Sequence, residues 1–195
     1  MKFTTTCLAI VLFCSVAVNA QSVAAEKSLS LSIEINAPVD SVWARWSSAA
    51  GLQKFFAPVV RFEPGTLGLM EVHFAPDAPA GQRGSENNRI LAMQEKQMLS
   101  FTWDAPPIFP EIRKQRTVVL LRFFEITPGK TLVVFRQMGW GTGADWEAVF
   151  NYFLPAWRDR VLPYLKYSLE VRPIDWKNFP ASAPVGLSPA NLLKN

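Results

Sequence analysis

The chain has 195 residues, of which 49% are hydrophobic, 12% aromatic and 18% charged. Seven Trp and 14 Phe exclude a disordered or fibrous chain and fit a single globular domain with a sizeable core. Lys and Arg number 20 against 16 Asp and Glu, a net charge of +4 with no basic run, so the clustered positive stripe of a nucleic-acid-binding protein is missing.

Residues 1–20 read as a secretory signal peptide. Lys2 supplies the positive start, Cys7 to Val18 the apolar stretch, and Val18-Asn19-Ala20 the small-residue cleavage site. The apolar stretch is shorter than the roughly 20 residues of a membrane-spanning helix, so no stable membrane insertion is expected once the signal is removed. Retention as an N-terminal anchor is the alternative, because no charge falls between Lys2 and Glu26. A lipoprotein signal would need a small residue before Cys14, where Phe13 stands. The expected location is periplasmic or secreted.

Both cysteines, Cys7 and Cys14, lie inside that segment, and the body from Gln21 onward has one histidine, His73. No thiolate and no Cys/His zinc set can then form, so no metal and no cofactor is expected. Any nucleophile-and-base constellation would rest on His73 alone.

The body opens with Ser28 to Asn36, where Leu29, Leu31, Ile33 and Ile35 alternate with Ser30, Ser32 and Glu34, a half-buried antiparallel strand. Ala37-Pro38-Val39-Asp40 opens a helix carrying Val42, Trp43 and Trp46. A second short helix is predicted over Leu52 to Phe56 after the break at Gly51. Six strands follow: Val59 to Glu63, Leu67 to Phe74, Asn88 to Gln94, Met98 to Asp104, Thr117 to Ile126 and Leu132 to Met138. Loops are predicted over Ala75 to Gly84 and over the proline-bearing Ala105 to Gln115. Trp146, Phe150, Phe153, Trp157 and Val161 then recur at helical spacing. Thr142-x-x-Asp145 reads as a capping box, and Pro155 predicts a kink near Asn151 to Pro155. The domain is placed at 28–170, with an irregular proline-rich tail over 171–195 in which Trp176 is a candidate anchor.

This order resembles the helix-grip fold of the START-related (SRPBCC) superfamily, and within it the family named for the activator of the heat-shock-protein-ninety ATPase. The residues carrying the resemblance begin with Ala37-Pro38-Val39-Asp40-x-Val42-Trp43 and Leu99-Ser100-Phe101-Thr102-Trp103. Thr127-Pro128-Gly129-Lys130-Thr131 and Gly139-Trp140-Gly141 continue it, and Asp145-Trp146, Tyr152-Phe153, Trp157 and Val161-Leu162-x-x-Leu165 close it. The resemblance implies an α+β fold: a curved antiparallel sheet of about seven strands wrapped around a long C-terminal helix, with two short helices after the first strand. It also implies an apolar cavity between sheet and helix. The namesake activity needs a cytosolic chaperone, which an exported chain would not meet.

On that arrangement the candidate ligand-binding residues are Trp103, Arg122, Arg136, Trp146, Phe150, Phe153 and Trp157. The aromatics would line the pocket for a flat or hydrophobic molecule. Arg122 and Arg136 either hold an anionic ligand group, lie on the solvent face, or pair with Glu71 or Asp104. No catalytic residue is assigned. The expected function is binding of a small hydrophobic or amphipathic molecule. The alternatives are a cyclase- or hydrolase-like activity using His73, Glu71 or Asp104, and an envelope protein-interaction module whose partner is unknown. No nucleic-acid partner is expected.

Overall fold

The computed structural model describes residues 26–179. The expected signal segment and the end of the tail lie outside them. The alternating segment forms strand β1 (Leu29–Ile35), which buries Leu29, Leu31, Ile33 and Ile35. Helix α1 (Val39–Trp46) follows Pro38 and buries Val42 and Trp46. Helix α2 (Ala49–Leu52) starts three residues before its predicted position, because Ser48 Oγ accepts from the Gly51 amide at 3.0 Å and caps it. Gly51 is therefore inside the helix, where its missing side chain matters: a Cβ there would lie 2.1 Å from the Ala44 carbonyl oxygen of α1.

Strands β2 (Val59–Phe62), β3 (Leu69–His73), β4 (Gly84–Gln94), β5 (Met98–Trp103), β6 (Thr117–Thr127) and β7 (Lys130–Met138) complete an antiparallel sheet of seven strands in the order β1-β7-β6-β5-β4-β3-β2. Strand β4 begins at Gly84 rather than Asn88. A bulge between Met70 and Val72 lets Gly84 and Ser85 pair with His73 and Val72. The segment 105–115, read from sequence as loop, contains helix α3 (Pro110–Arg113), with Pro110 in its first turn.

The long C-terminal helix consists of α4 (Ala144–Ala156), a π turn (Trp157–Val161) and α5 (Leu162–Glu170). Gly143, at φ +100°, takes the N-cap position and no side chain caps the start, so the predicted capping box does not form. Asp145 and Glu147 still sit in the first turn, where the helix dipole favours anions. Helix α4 continues through Pro155. The irregularity comes after it, where the Leu162 amide reaches back to the Trp157 carbonyl. The buried stripe runs Trp146, Val149, Phe153, Trp157, then Leu162 and Leu165, so Phe150 and Val161 are flanking residues rather than part of it.

This stripe packs on the sheet face formed by Ile33, Leu99, Phe101, Val119, Leu121, Val133 and Phe135, giving an α+β helix-grip fold. The tail is tied to the body where the Ile174 amide donates to the Lys54 carbonyl at 2.9 Å and Trp176 Nε1 to the Gln53 carbonyl at 2.5 Å. Among the described residues no helix is long and apolar enough to cross a membrane.

Candidate functional site

Period-2 alternation decides which strand residues can reach the helix. On β6 the buried residues are Val119, Leu121 and Phe123; on β7 they are Val133, Phe135 and Gln137. Arg122 and Arg136 therefore stand on the opposite, outer face. Arg122 pairs across with Val134 and Arg136 with Leu120. Arg122 lies over the Phe124 ring at 5.6 Å, its Nε buried without a hydrogen-bond partner among the described residues, and Arg136 is exposed. Neither faces the helix, and neither pairs with Glu71 or Asp104.

Between β5, the π turn and the two loops after β3 and β5 lies a cavity of about 90 Å³. Phe56, Phe74, Trp103, Tyr152, Phe153 and Trp157 supply its aromatic walls. Trp103 stacks on Phe56 with ring centroids 5.5 Å apart and lies 5.4 Å from Trp157, while Phe135 backs Trp157 at 4.5 Å. Of the residues proposed from sequence, Trp103, Phe153 and Trp157 meet at this cavity. Trp146 and Phe150 do not. They sit about two turns and one turn, respectively, nearer the N-terminus of α4 than Phe153 and pack on Trp140, at 6.3 and 4.9 Å, with Lys27 Nζ 4.2 Å from the Phe150 ring.

One end of the cavity is polar. Ser85, Asp104 and Arg113 line it, and all three belong to a buried network. Asp104 Oδ1 accepts from Ser85 Oγ at 2.5 Å and from Asn88 Nδ2 at 3.2 Å. Oδ2 accepts from the Glu86 amide at 3.2 Å and stands 2.8 Å from an Arg113 terminal nitrogen. That nitrogen also donates to the Ala105 carbonyl, and the other donates to the Gly84 carbonyl at 2.7 Å and lies 3.7 Å from Glu86. Burial pushes the Glu86 carboxyl up, but the amides of Gly81 and Arg83 and the Arg113 charge together hold it below its ordinary value. Arg113 thus fastens the start of β4 to the loop after β5.

Glu71 and His73 alternate with Met70 and Val72 of the core and so point away from the cavity. His73 Nε2 lies 3.3 Å from Glu71 Oε2, an ion-pair distance without hydrogen-bond geometry. Glu71 also accepts from the Asn87 amide at 3.0 Å. Among the described residues no group of three or more His, Cys, Asp or Glu side chains is placed to hold a metal ion.

Sequence reasoning missed Phe56, Phe74, Ser85, Arg113 and Tyr152. The polar run Gly84-Ser85-Glu86-Asn87-Asn88, too hydrophilic for an ordinary strand start, was the signal for the network.

Residues 36–159 match the family model described as Activator of Hsp90 ATPase homolog 1-like protein. Among curated proteins none matches the sequence. Among solved structures the fold is similar to CalU16 from Micromonospora echinospora, at 17% identity over 75% of this chain and 76% of that one, TM-score 0.56. It is also similar to the Aha1 dimer from Colwellia psychrerythraea, at 16% identity over 74% and 97%, TM-score 0.57. A third is PFC0360w, an HSP90 activator from Plasmodium falciparum, at 11% over 73% and 95%, TM-score 0.58. At such identities these likenesses are of fold. The family match spans the chain from the turn before α1 to the π turn, and with it the elements that build the cavity: the chain belongs to the family of Activator of Hsp90 ATPase homolog 1-like proteins.

Proposed function

We propose that this protein is an exported binding protein that takes a small hydrophobic or amphipathic molecule between sheet and long helix. The observation that carries the reading is the aromatic-walled cavity with one polar end. Such a surface gains from covering an apolar body and orients it through few polar groups. Its size, about 90 Å³, suits a single ring with the remainder of the ligand reaching out past Tyr152, which is 47% exposed. An enzymatic role would need a proton-transfer group free to act in the cavity. Asp104, the carboxylate that lines it, already accepts from Ser85, Asn88 and the Glu86 amide and is ion-paired with Arg113.

Native mass spectrometry of protein purified from its own host tests the reading: a retained small molecule, released on unfolding, is expected. Apoprotein at every purification step, with no uptake from a panel of small aromatic compounds, would overturn it. N-terminal sequencing of the same sample tests signal removal, with a start near Gln21 expected and an intact Met1 decisive against a cleaved signal.

A further inference from the structure

Strands β6 and β7 are apolar on both faces. An antiparallel sheet covered on one side ordinarily alternates apolar residues inward with polar residues outward. Here Leu120, Phe124 and Ile126 of β6, Leu132 and Val134 of β7 and Met98 of β5 all stand on the outer face. The helices pack on the other face, through Phe123, Val133 and Phe135, and Phe124 and Ile126 stay 44% and 45% exposed. A contiguous apolar patch of this kind marks an interaction site.

Arg122 stands in the middle of the patch. Across the strands its neighbours are Val134 and Met98, and along its own strand Leu120 and Phe124. Apart from the Phe124 ring, its guanidinium has no partner among the described residues. Arg136, which pairs across with Leu120, is exposed and likewise without a partner among them. The one carboxylate on this face of β1, β7, β6 and β5 is Glu34, and Lys130 Nζ already lies 2.5 Å from it. Ser30, Ser32, Ser100 and Thr102 add only hydroxyls. The charge of the patch is positive and unanswered.

Covering the patch would take Arg122 out of water, and a buried charge needs a hydrogen-bonded counter-charge. Whatever docks there must carry an anion at its centre. A bilayer offers its phosphates at the rim of an inserted apolar patch, whereas this cation stands at the middle. A second copy across a two-fold axis would set Arg122 and Arg136 against their own counterparts. Residues 1–25 and 180–195 contain no Asp or Glu, so these segments of the chain supply no acidic side chain. A different protein fits best, and an arginine ringed by aliphatic, Met and aromatic side chains has the composition of an interface centre.

We infer that the outer face of the sheet docks a partner protein through an apolar surface with an Asp or Glu at its centre, held by the terminal nitrogens of Arg122. The cavity lies on the opposite face of the sheet, so this site stands independently of the ligand-binding reading.

Site-specific photocross-linking of the full chain in its native host tests the inference. The photoreactive p-benzoylphenylalanine replaces either Ser100, which pairs with Leu120 on the patch, or Asn151, exposed on α4 across the sheet. Position 100 should give a protein adduct whose linked peptide carries Asp or Glu among apolar residues, and position 151 should not. Arg122→Glu, shown by thermal melting to fold like the wild type, should lower the adduct yield by about tenfold or more. Arg122→Lys should lose less, and a lysine in place of the partner's carboxylate should restore the yield with Arg122→Glu. If Arg122→Glu does not fold, Arg136→Glu and the makeup of the linked peptide decide the matter. Adducts to phospholipid or to a second copy of this chain would overturn the inference. So would a linked peptide with no acidic residue, an undiminished yield from folded Arg122→Glu, the same adduct from both positions, or no adduct from position 100.

Discussion

The indole N–H of Trp157 donates to Gln137 Oε1 at 2.9 Å, which fastens the π turn of the long helix to strand β7. The same amide donates through Nε2 to Thr117 Oγ1 at 2.9 Å, and that hydroxyl donates to the Trp103 carbonyl at 3.0 Å. A chain of buried hydrogen bonds therefore joins the two tryptophans of the cavity wall across β7 and β6. Gln137→Leu removes acceptor and donor together while keeping most of the volume. It should destabilise the fold by about 2–4 kcal/mol in urea titration, since each orphaned buried group costs about 1–3 kcal/mol. Combined with Trp157→Phe, the loss should be smaller than the sum of the two.

Asp104→Ala should be among the most damaging single substitutions outside the apolar core. It strips Arg113 of its 2.8 Å partner, leaves the Ser85 hydroxyl without its acceptor and takes one of two acceptors from Asn88 Nδ2. Breaking a buried pair from one side costs about 3–5 kcal/mol. Glu111→Ala is the control: its partner Lys114 is exposed, and the change should stay within about 0.5 kcal/mol. Chemical denaturation of both variants gives the comparison.

Acid stability should depend on Glu86. Its folded-state pKa lies below the ordinary glutamate value because amide donors and Arg113 outweigh the cost of burial. A depressed carboxyl contributes stability that is fully present above its unfolded pKa and is lost as pH falls through the folded one. The wild type should therefore lose stability steadily below about pH 4.3, the unperturbed glutamate value. Glu86→Gln should be less stable at neutral pH and show a flatter acid limb. Thermal melts at closely spaced pH values between neutral and acid conditions check both slopes.

Pro155 stands inside α4, where it can give no amide to the Asn151 carbonyl. An interior proline costs about 3 kcal/mol in a straight helix, and its replacement also frees the unfolded chain by about 0.4–1 kcal/mol. Pro155→Ala should raise stability by about 2 kcal/mol. Hydrogen exchange should show a protected amide at position 155.

Much of the architecture was legible because the contrast between faces was strong. In β1, serine and glutamate separate the buried leucines and isoleucines, so its inner face is unambiguous. In β6, Val118 and Leu120 on one face oppose Val119 and Leu121 on the other, so alternation could not say which way Arg122 points. Only the packed helix decides that. The polar end of the cavity was illegible for another reason. Ser85, Asp104 and Arg113 come from three segments, and what unites them is the β3–β4 bulge together with a short helix inside a proline-bearing loop. The helix stripe went astray at Val161 because regular spacing was carried across a turn that is not regular.

That turn has a consequence for how the chain tolerates change in length. Between Trp157 and Leu162 the helix carries one residue more than an α turn holds, and in a regular helix each residue advances the side chains by about 100°. The surplus is absorbed locally, so the halves before and after it keep their apolar sides in phase with the sheet. Removing Asp159 would close the turn to regular spacing, bring Trp157 and Leu162 four positions apart, and leave both halves facing as they do now. Removing a residue between Val149 and Phe153 would instead turn one half away from the sheet. The helix thus holds a spare residue at one known place, and a deletion scan from 144 to 170 should find its tolerant point there.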